Sequence, residues 1–195
     1  MKLEPLNAVV DRSFPGYDFT VTRARLRRTY NLLETTDEEV LNVKAKTLRW
    51  KIDLSVKNKE GEELCKVKPL NSRDSNKRYG VVDAETDETK AIYVGESRYP
   101  FWLWRVLDTQ ENTVGRLERS SNSNKLLRYI SLYNTIHADR YDFYGPGDEV
   151  EGKIENRSGL KDRYEVSLDR ESEVPPLYVA LCLILNNAVE ARQKQ

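Results

Sequence analysis

A mainly β body with one deeply buried C-terminal helix is the fold class this sequence predicts, and three observations predict it. Apolar and polar residues alternate with period two over long stretches, the pattern that sends successive side chains of a strand to opposite faces. A strand, a polar turn and a second strand recur along the chain. Behind Pro175-Pro176 comes an uninterrupted apolar run, Leu177 to Leu185, unlike anything before it.

The clearest alternation is Trp50-Lys51-Ile52-Asp53-Leu54-Ser55-Val56-Lys57, apolar at even positions and polar at odd ones, as a half-buried antiparallel strand requires. Asn58-Lys59-Glu60-Gly61 supplies a turn and Leu64-Cys65-Lys66-Val67-Lys68 resumes, so 50–68 is a hairpin. Leu33 to Val40 aligns without gaps on Leu107 to Val114, Val56 to Leu64 matches with one extra residue, and Phe143 to Val150 is a further copy. Other strands are expected at Phe19 to Leu26, Ile92 to Glu96, Leu126 to Tyr133 and Arg163 to Asp169. Phe101 to Leu107 is apolar at both parities and should be covered on both faces. Residues 71–77 and 120–124 read as loops.

Pro176 stands where a helix can begin. Leu177, Leu181, Ile184, Leu185 and Ala188 make one helical stripe, and Val179, Ala180, Cys182 and Leu183 leave the other side apolar too. A helix that is apolar all round is buried or spans a membrane. Nine apolar residues fall short of the ~20 a bilayer demands, so helix 176–192 should lie inside the protein.

The chain has 195 residues, with 32 Lys and Arg against 32 Asp and Glu. That balance excludes a nucleic-acid binder acting through bulk positive charge and confines any anion site to a local patch. A 38% hydrophobic content suits one folded domain, assigned to 17–192 behind an N-terminal extension, 1–16. Cys65 and Cys182 have neither disulfide-scaffold density nor zinc spacing, and the first residues lack the apolar core of a signal peptide. A cytoplasmic monomer, with peripheral attachment to membranes, is the expectation.

The strongest electrostatic feature is Arg23-Ala24-Arg25-Leu26-Arg27-Arg28. On a strand, Arg23, Arg25 and Arg27 would share one face, where guanidinium forks match phosphates. Lys44 and Lys46, also two apart, would extend that row if their strand lay beside it. A solvated face, or an edge protected by charge, is the alternative reading of the same residues. Asp83-Ala84-Glu85-Thr86-Asp87 begins like a calcium loop, but Glu88 and Val94 occupy the positions where such a loop needs Gly and Glu, so an acidic hairpin turn is expected. His137 is the only histidine, which excludes His-pair chemistry within one chain. No dinucleotide, phosphate-loop or zinc-protease motif occurs, and no cofactor or metal is expected. Tyr99, Phe101, Trp102 and Trp104 read as core in preference to a base-stacking platform.

The hairpin copies, with the tail Gly152-Lys153-Ile154, Gly159-Leu160, Arg163-Tyr164-Glu165-Val166-Ser167-Leu168-Asp169, Pro175 and Ala180-Leu181-Cys182-Leu183, resemble the superfamily of tubby C-terminal domains, plant LURP-one-related proteins and phospholipid scramblases. The resemblance covers residues 17–190 and implies a closed antiparallel β-barrel threaded by its C-terminal helix. Tubby-type members bind phosphoinositide head groups through exterior basic residues, scramblases are linked to calcium and lipid movement, and LURP-one-related members are largely without assigned chemistry. The cysteine-rich segment of scramblases is missing here, and 162–169, where their calcium segment would fall, alternates like an ordinary strand. The resemblance therefore implies a non-enzymatic binding or adaptor module that recognises anionic phospholipid head groups through Arg23, Arg25, Arg27, Lys44 and Lys46. A protein–protein adaptor without lipid binding, and a small enzyme with a barrel-end pocket, are the alternatives.

Overall fold

The structure, a computed structural model, describes residues 16–24, 29–48, 51–70, 77–98, 101–120, 140–156 and 163–193. Twelve strands close into one antiparallel barrel: β1 (Asp18–Ala24), β2 (Thr29–Leu33), β3 (Glu39–Leu48), β4 (Lys51–Lys57), β5 (Glu63–Pro69), β6 (Lys77–Asp83), β7 (Thr89–Arg98), β8 (Phe101–Leu107), β9 (Thr113–Arg119), β10 (Arg140–Tyr144), β11 (Val150–Asn156) and β12 (Arg163–Leu168). Each strand pairs with its neighbours in sequence, and β1 pairs with β12 from Asp18↔Ser167 to Thr22↔Arg163 to close the ring. Closure leaves no unpaired edge along this sheet.

The helix α1 (Pro176–Gln193) lies in the lumen, in contact with β4 on one side and with β8 and β9 on the other. Every residue from Leu177 to Val189 is buried, as an apolar surface on all sides requires. Inward-facing residues of the strands, among them Val21, Leu32, Val43, Ile52, Val67 and Phe143, complete a single core around it.

Five hairpins, joined by 34–38, 58–62, 84–88, 108–112 and 145–149, are variants of one design. Each has a bulge on entry, at Leu33, Lys57, Val82, Leu107 and Tyr144. In four of them the turn closes with a bond three residues long: Asp37 N–H to Glu34 C=O at 2.9 Å, and its equivalents from Gly61, Glu111 and Asp148. Residues 37, 61, 111 and 148 have positive φ, the geometry of a type I turn followed by a left-handed residue and a bulge. The 82–89 copy is one residue longer and closes from Asp87 to Asp83, with the positive φ moved to Asp87.

This register corrects the alignment expected from sequence. Lys57, not Val56, is equivalent to Leu33, so the 57–64 hairpin needs no extra residue, and the insertion belongs to the unanticipated fifth copy at 82–89. Lys77, expected in a loop, begins β6. Leu103, Trp104, Val106 and Leu107 are all buried, so β8 is covered on both faces as its composition implied. The strand expected over Leu126 to Tyr133, and His137, lie outside the described residues.

The five turns and the β12–α1 connection gather at one end of the barrel, here the turn end. From there α1 runs inward toward the opposite end.

Candidate functional site

Strand parity places the sequence-derived site residues in different places. Phe19 and Val21 face the core, so Arg23, two residues on, takes the inner side of the wall; its cross-strand partner is the buried Tyr30, and the guanidinium carbon lies 6.0 Å from that ring. Ala24 ends β1, and Arg25 and Arg27 lie outside the described residues. Lys44 and Lys46 alternate with the buried Val43 and Ala45 and are exposed on the outer face. β2 separates their strand from β1. The structure therefore does not unite Arg23 with Lys44 and Lys46: they occupy opposite sides of the barrel wall.

What the fold does gather is a lysine face across β3, β4 and β5. Lys44 pairs with Ser55, and Ser55 pairs with Lys66, in one outward row. Lys46 faces Asp53 and Lys57 faces Asn42 on the flanking rows, and Lys68 follows Lys66 on the same side of β5. Val43, Ile52, Leu54, Val56, Cys65 and Val67 anchor the same strands from within, each less than 2% exposed, so the lysines stand on a fixed platform. Lys57, Lys66 and Lys68 were legible as the outward positions of the 50–68 hairpin; that they join Lys44 and Lys46 follows only from the pairing of β3 with β4.

Charge on this face is partly compensated. Lys66 bonds Glu63 at 2.5 Å, which raises the ammonium pKa, and Ser55 Oγ–H donates to Glu63 at 2.6 Å. Burial works to raise the Glu63 carboxyl, but those two bonds outweigh it and hold the group below its ordinary range. Lys68 reaches Asp87 at 3.4 Å. Lys44 and Lys46 have no carboxylate at ion-pair distance among the described residues and lead the positive charge of the face.

The lumen holds one polar cluster. The indole Nε1–H of Trp104 donates to Asn186 Oδ1 at 3.0 Å, and Asn186 Nδ2 lies 3.2 Å from both the Tyr141 hydroxyl and Glu190 Oε1. About two turns earlier on α1, the Tyr93 hydroxyl donates to the Tyr178 carbonyl at 2.8 Å, and burial pushes that phenol well above its ordinary pKa. In sequence Asn186 and Asn187 only mark the end of an apolar run. Among the described residues, no three His, Cys, Asp or Glu side chains come together as a metal site, and no helix is long and apolar enough to cross a membrane.

The acids at 83–87 form the turn expected of them: Asp83 Oδ1 accepts the backbone N–H groups of Glu85 and Thr86. Asp108 does the same for Gln110 and Asn112, and Asn58 for Glu62.

Neither a family model nor a curated protein matches this sequence. A solved structure does: a protein from Arabidopsis thaliana superposes with a TM-score of 0.60 over 95% of this chain and 99% of that one, at 12% identity. At that identity the likeness shows a common fold, and a fold alone does not assign an activity.

Proposed function

We propose that this protein is a non-enzymatic binding module of the tubby-like and LURP-one-related type that attaches to anionic phospholipid surfaces through the outer lysine face of β3–β5. The observation that carries the reading is the joining of Lys44, Lys46, Lys57, Lys66 and Lys68 on one side of three consecutive strands. Each lysine at a negatively charged bilayer contributes about 1 kcal/mol; with Lys66 and Lys68 paired to Glu63 and Asp87, Lys44, Lys46 and Lys57 carry weak, salt-sensitive attachment of the kind a peripheral module uses. Arg23, the one described arginine of the row expected from sequence, faces inward and is not part of this face.

Vesicle sedimentation tests it. The protein should pellet with phosphatidylcholine vesicles containing about 30 mol% phosphatidylserine, more strongly when a phosphoinositide is added, and not with phosphatidylcholine alone. Lys44→Glu/Lys46→Glu should weaken binding by about tenfold or more, and added salt should reverse it. Equal pelleting with neutral vesicles, or an unaltered double variant, would overturn the proposal.

A further inference from the structure

The chain is neutral in sum but not along the barrel axis. The six connections at the turn end, 34–38, 58–62, 84–88, 108–112, 145–149 and 169–175, contain fifteen Asp or Glu and two Lys or Arg. Part of that charge is answered from the wall. All four non-glycine residues with positive φ in these turns are acids, and each bonds a cation reaching across from a nearby strand: Asp37 to Arg163 at 2.7 Å, Asp87 to Lys68 at 3.4 Å, Glu111 to Arg78 at 2.7 Å, and Asp148 to Arg116. Lys90 on β7 likewise bonds Glu88, yet fifteen acids against the two cations of the connections and the five wall cations Arg163, Lys68, Arg78, Arg116 and Lys90 still leave a negative excess at this end.

The lysine face reaches away from this acid. Lys46 stands seven residues beyond Glu39 along β3, about 23 Å at ~3.3 Å per residue and about 17 Å along the axis for a typical strand tilt. The Debye length at physiological salt is ~8 Å. Lys46 can therefore sit against an anionic surface while the turns stand about two screening lengths away. Were the barrel to lie flat on its β3–β5 side, the turns 34–38 and 58–62 would come within one screening length, and their five acids would offset the lysines at about the same energy per charge.

Resting on the membrane-binding reading above, we propose that the barrel docks obliquely on an anionic bilayer, with Lys44 and Lys46 against the head groups and the acid-rich turn end held away in solvent. The partner surface is the bilayer; the turn end is what sets the angle.

Single-cysteine labelling distinguishes this geometry from binding as such. Cys65 and Cys182 are both buried and their thiol pKa values are pushed up, so a fluorophore can be directed to Ser55→Cys on the lysine face, Thr36→Cys in the adjacent turn, or Thr109→Cys in a turn across the barrel; Thr36 and Thr109 are exposed. With vesicles of phosphatidylcholine and about 30 mol% phosphatidylserine, acrylamide quenching of the Ser55 label should fall by about threefold or more, while the Thr36 and Thr109 labels keep their solution values. Glu34→Gln/Glu60→Gln, which removes acid from the two turns beside the lysine face, should let the barrel roll flat, shield the Thr36 label and tighten binding severalfold. Pelleting with the Thr36 and Ser55 labels equally shielded would overturn the oblique geometry and leave membrane binding standing. Failure to pellet would overturn both.

Discussion

Asp108 shows how far one side chain can fix a turn. It is 4% exposed, and its carboxylate accepts the N–H groups of Gln110 and Asn112 and the Asn112 side-chain amide at 2.8–3.0 Å. Burial works against the charged form, but these bonds outweigh it and lower the carboxyl pKa. A carboxyl depressed in the folded state contributes stability that is complete above its unfolded pKa of about 3.9 and is lost as pH falls through the lower folded value. Asp108→Ala should cost about 1–3 kcal/mol in urea unfolding at neutral pH, by leaving buried donors without an acceptor. Asp108→Asn keeps an oxygen acceptor that does not titrate, so its stability should fall less than the wild type's below about pH 4. The buried thiols of Cys65 and Cys182 give a second outcome: a maleimide should label neither in native buffer and both in denaturant. Both burials were legible from their surroundings: Cys182 lies in the apolar run of the helix, and Cys65 alternates with Lys66 and Lys68 in the second strand of the 50–68 hairpin.

At the scale of the element, α1 is the test of the whole packing. Its thirteen consecutive buried residues mean that a chain ending before Pro175 would leave the inward faces of twelve strands without a partner; such a truncation should be insoluble or show no cooperative melt by circular dichroism. Asn186 carries a narrower expectation. With a buried apolar surface all round, the helix could slide or turn in the lumen, and the bonds to Trp104 and Tyr141 fix its register. Trp104 itself sits over Gly95, where any Cβ would come within 2.8 Å of the indole. Asn186→Leu should therefore strand the Trp104 N–H and cost about 1–3 kcal/mol, with a shifted tryptophan emission, whereas Asn187→Leu should not shift it.

Elements were legible where one face of a strand is strictly apolar. β4 and β5 are of this kind, as are β8 and β12. β6 was not, because Lys77-Arg78-Tyr79-Gly80-Val81-Val82 breaks the alternation: Lys77 falls on the inward parity at the strand's start and Gly80, outward, lies beneath Leu70. Arg23, the one described member of the arginine row, faces inward for the opposite reason. Ala24 and Leu26 suggested an apolar even face, yet Phe19 and Val21 had already committed the odd positions to the core, and parity along one strand cannot change without a bulge. Lys44 and Lys46 were expected to extend that row only if their strand lay beside it; β2 lies between, and strand order is what no local pattern encodes.

For the whole molecule, wall, seam and helix share one core, so tryptophan fluorescence and far-ultraviolet circular dichroism should report a single coincident urea transition. A fluorescence change preceding the loss of β signal would mean that the helix leaves an intact barrel. The axial separation of charge described above adds a colloidal expectation: light scattering at low salt should show association that added salt suppresses, since acid and basic regions of neighbouring copies attract when screening is weak.

The seam between β1 and β12 has a bearing on biosynthesis. Its two strands are separated along the chain by the other ten, so one flank of β1 has no partner until β12 has left the ribosome, and the helix that fills the lumen emerges later still. Synthesis thus delivers a curled, unfilled sheet whose apolar concave side is exposed, and final closure around the helix must wait until α1 has emerged. Nascent-chain chaperones that shield apolar sheets have the whole of that interval in which to act, and an arrest just upstream of Pro175 would leave a species with every strand made and nothing to wrap around.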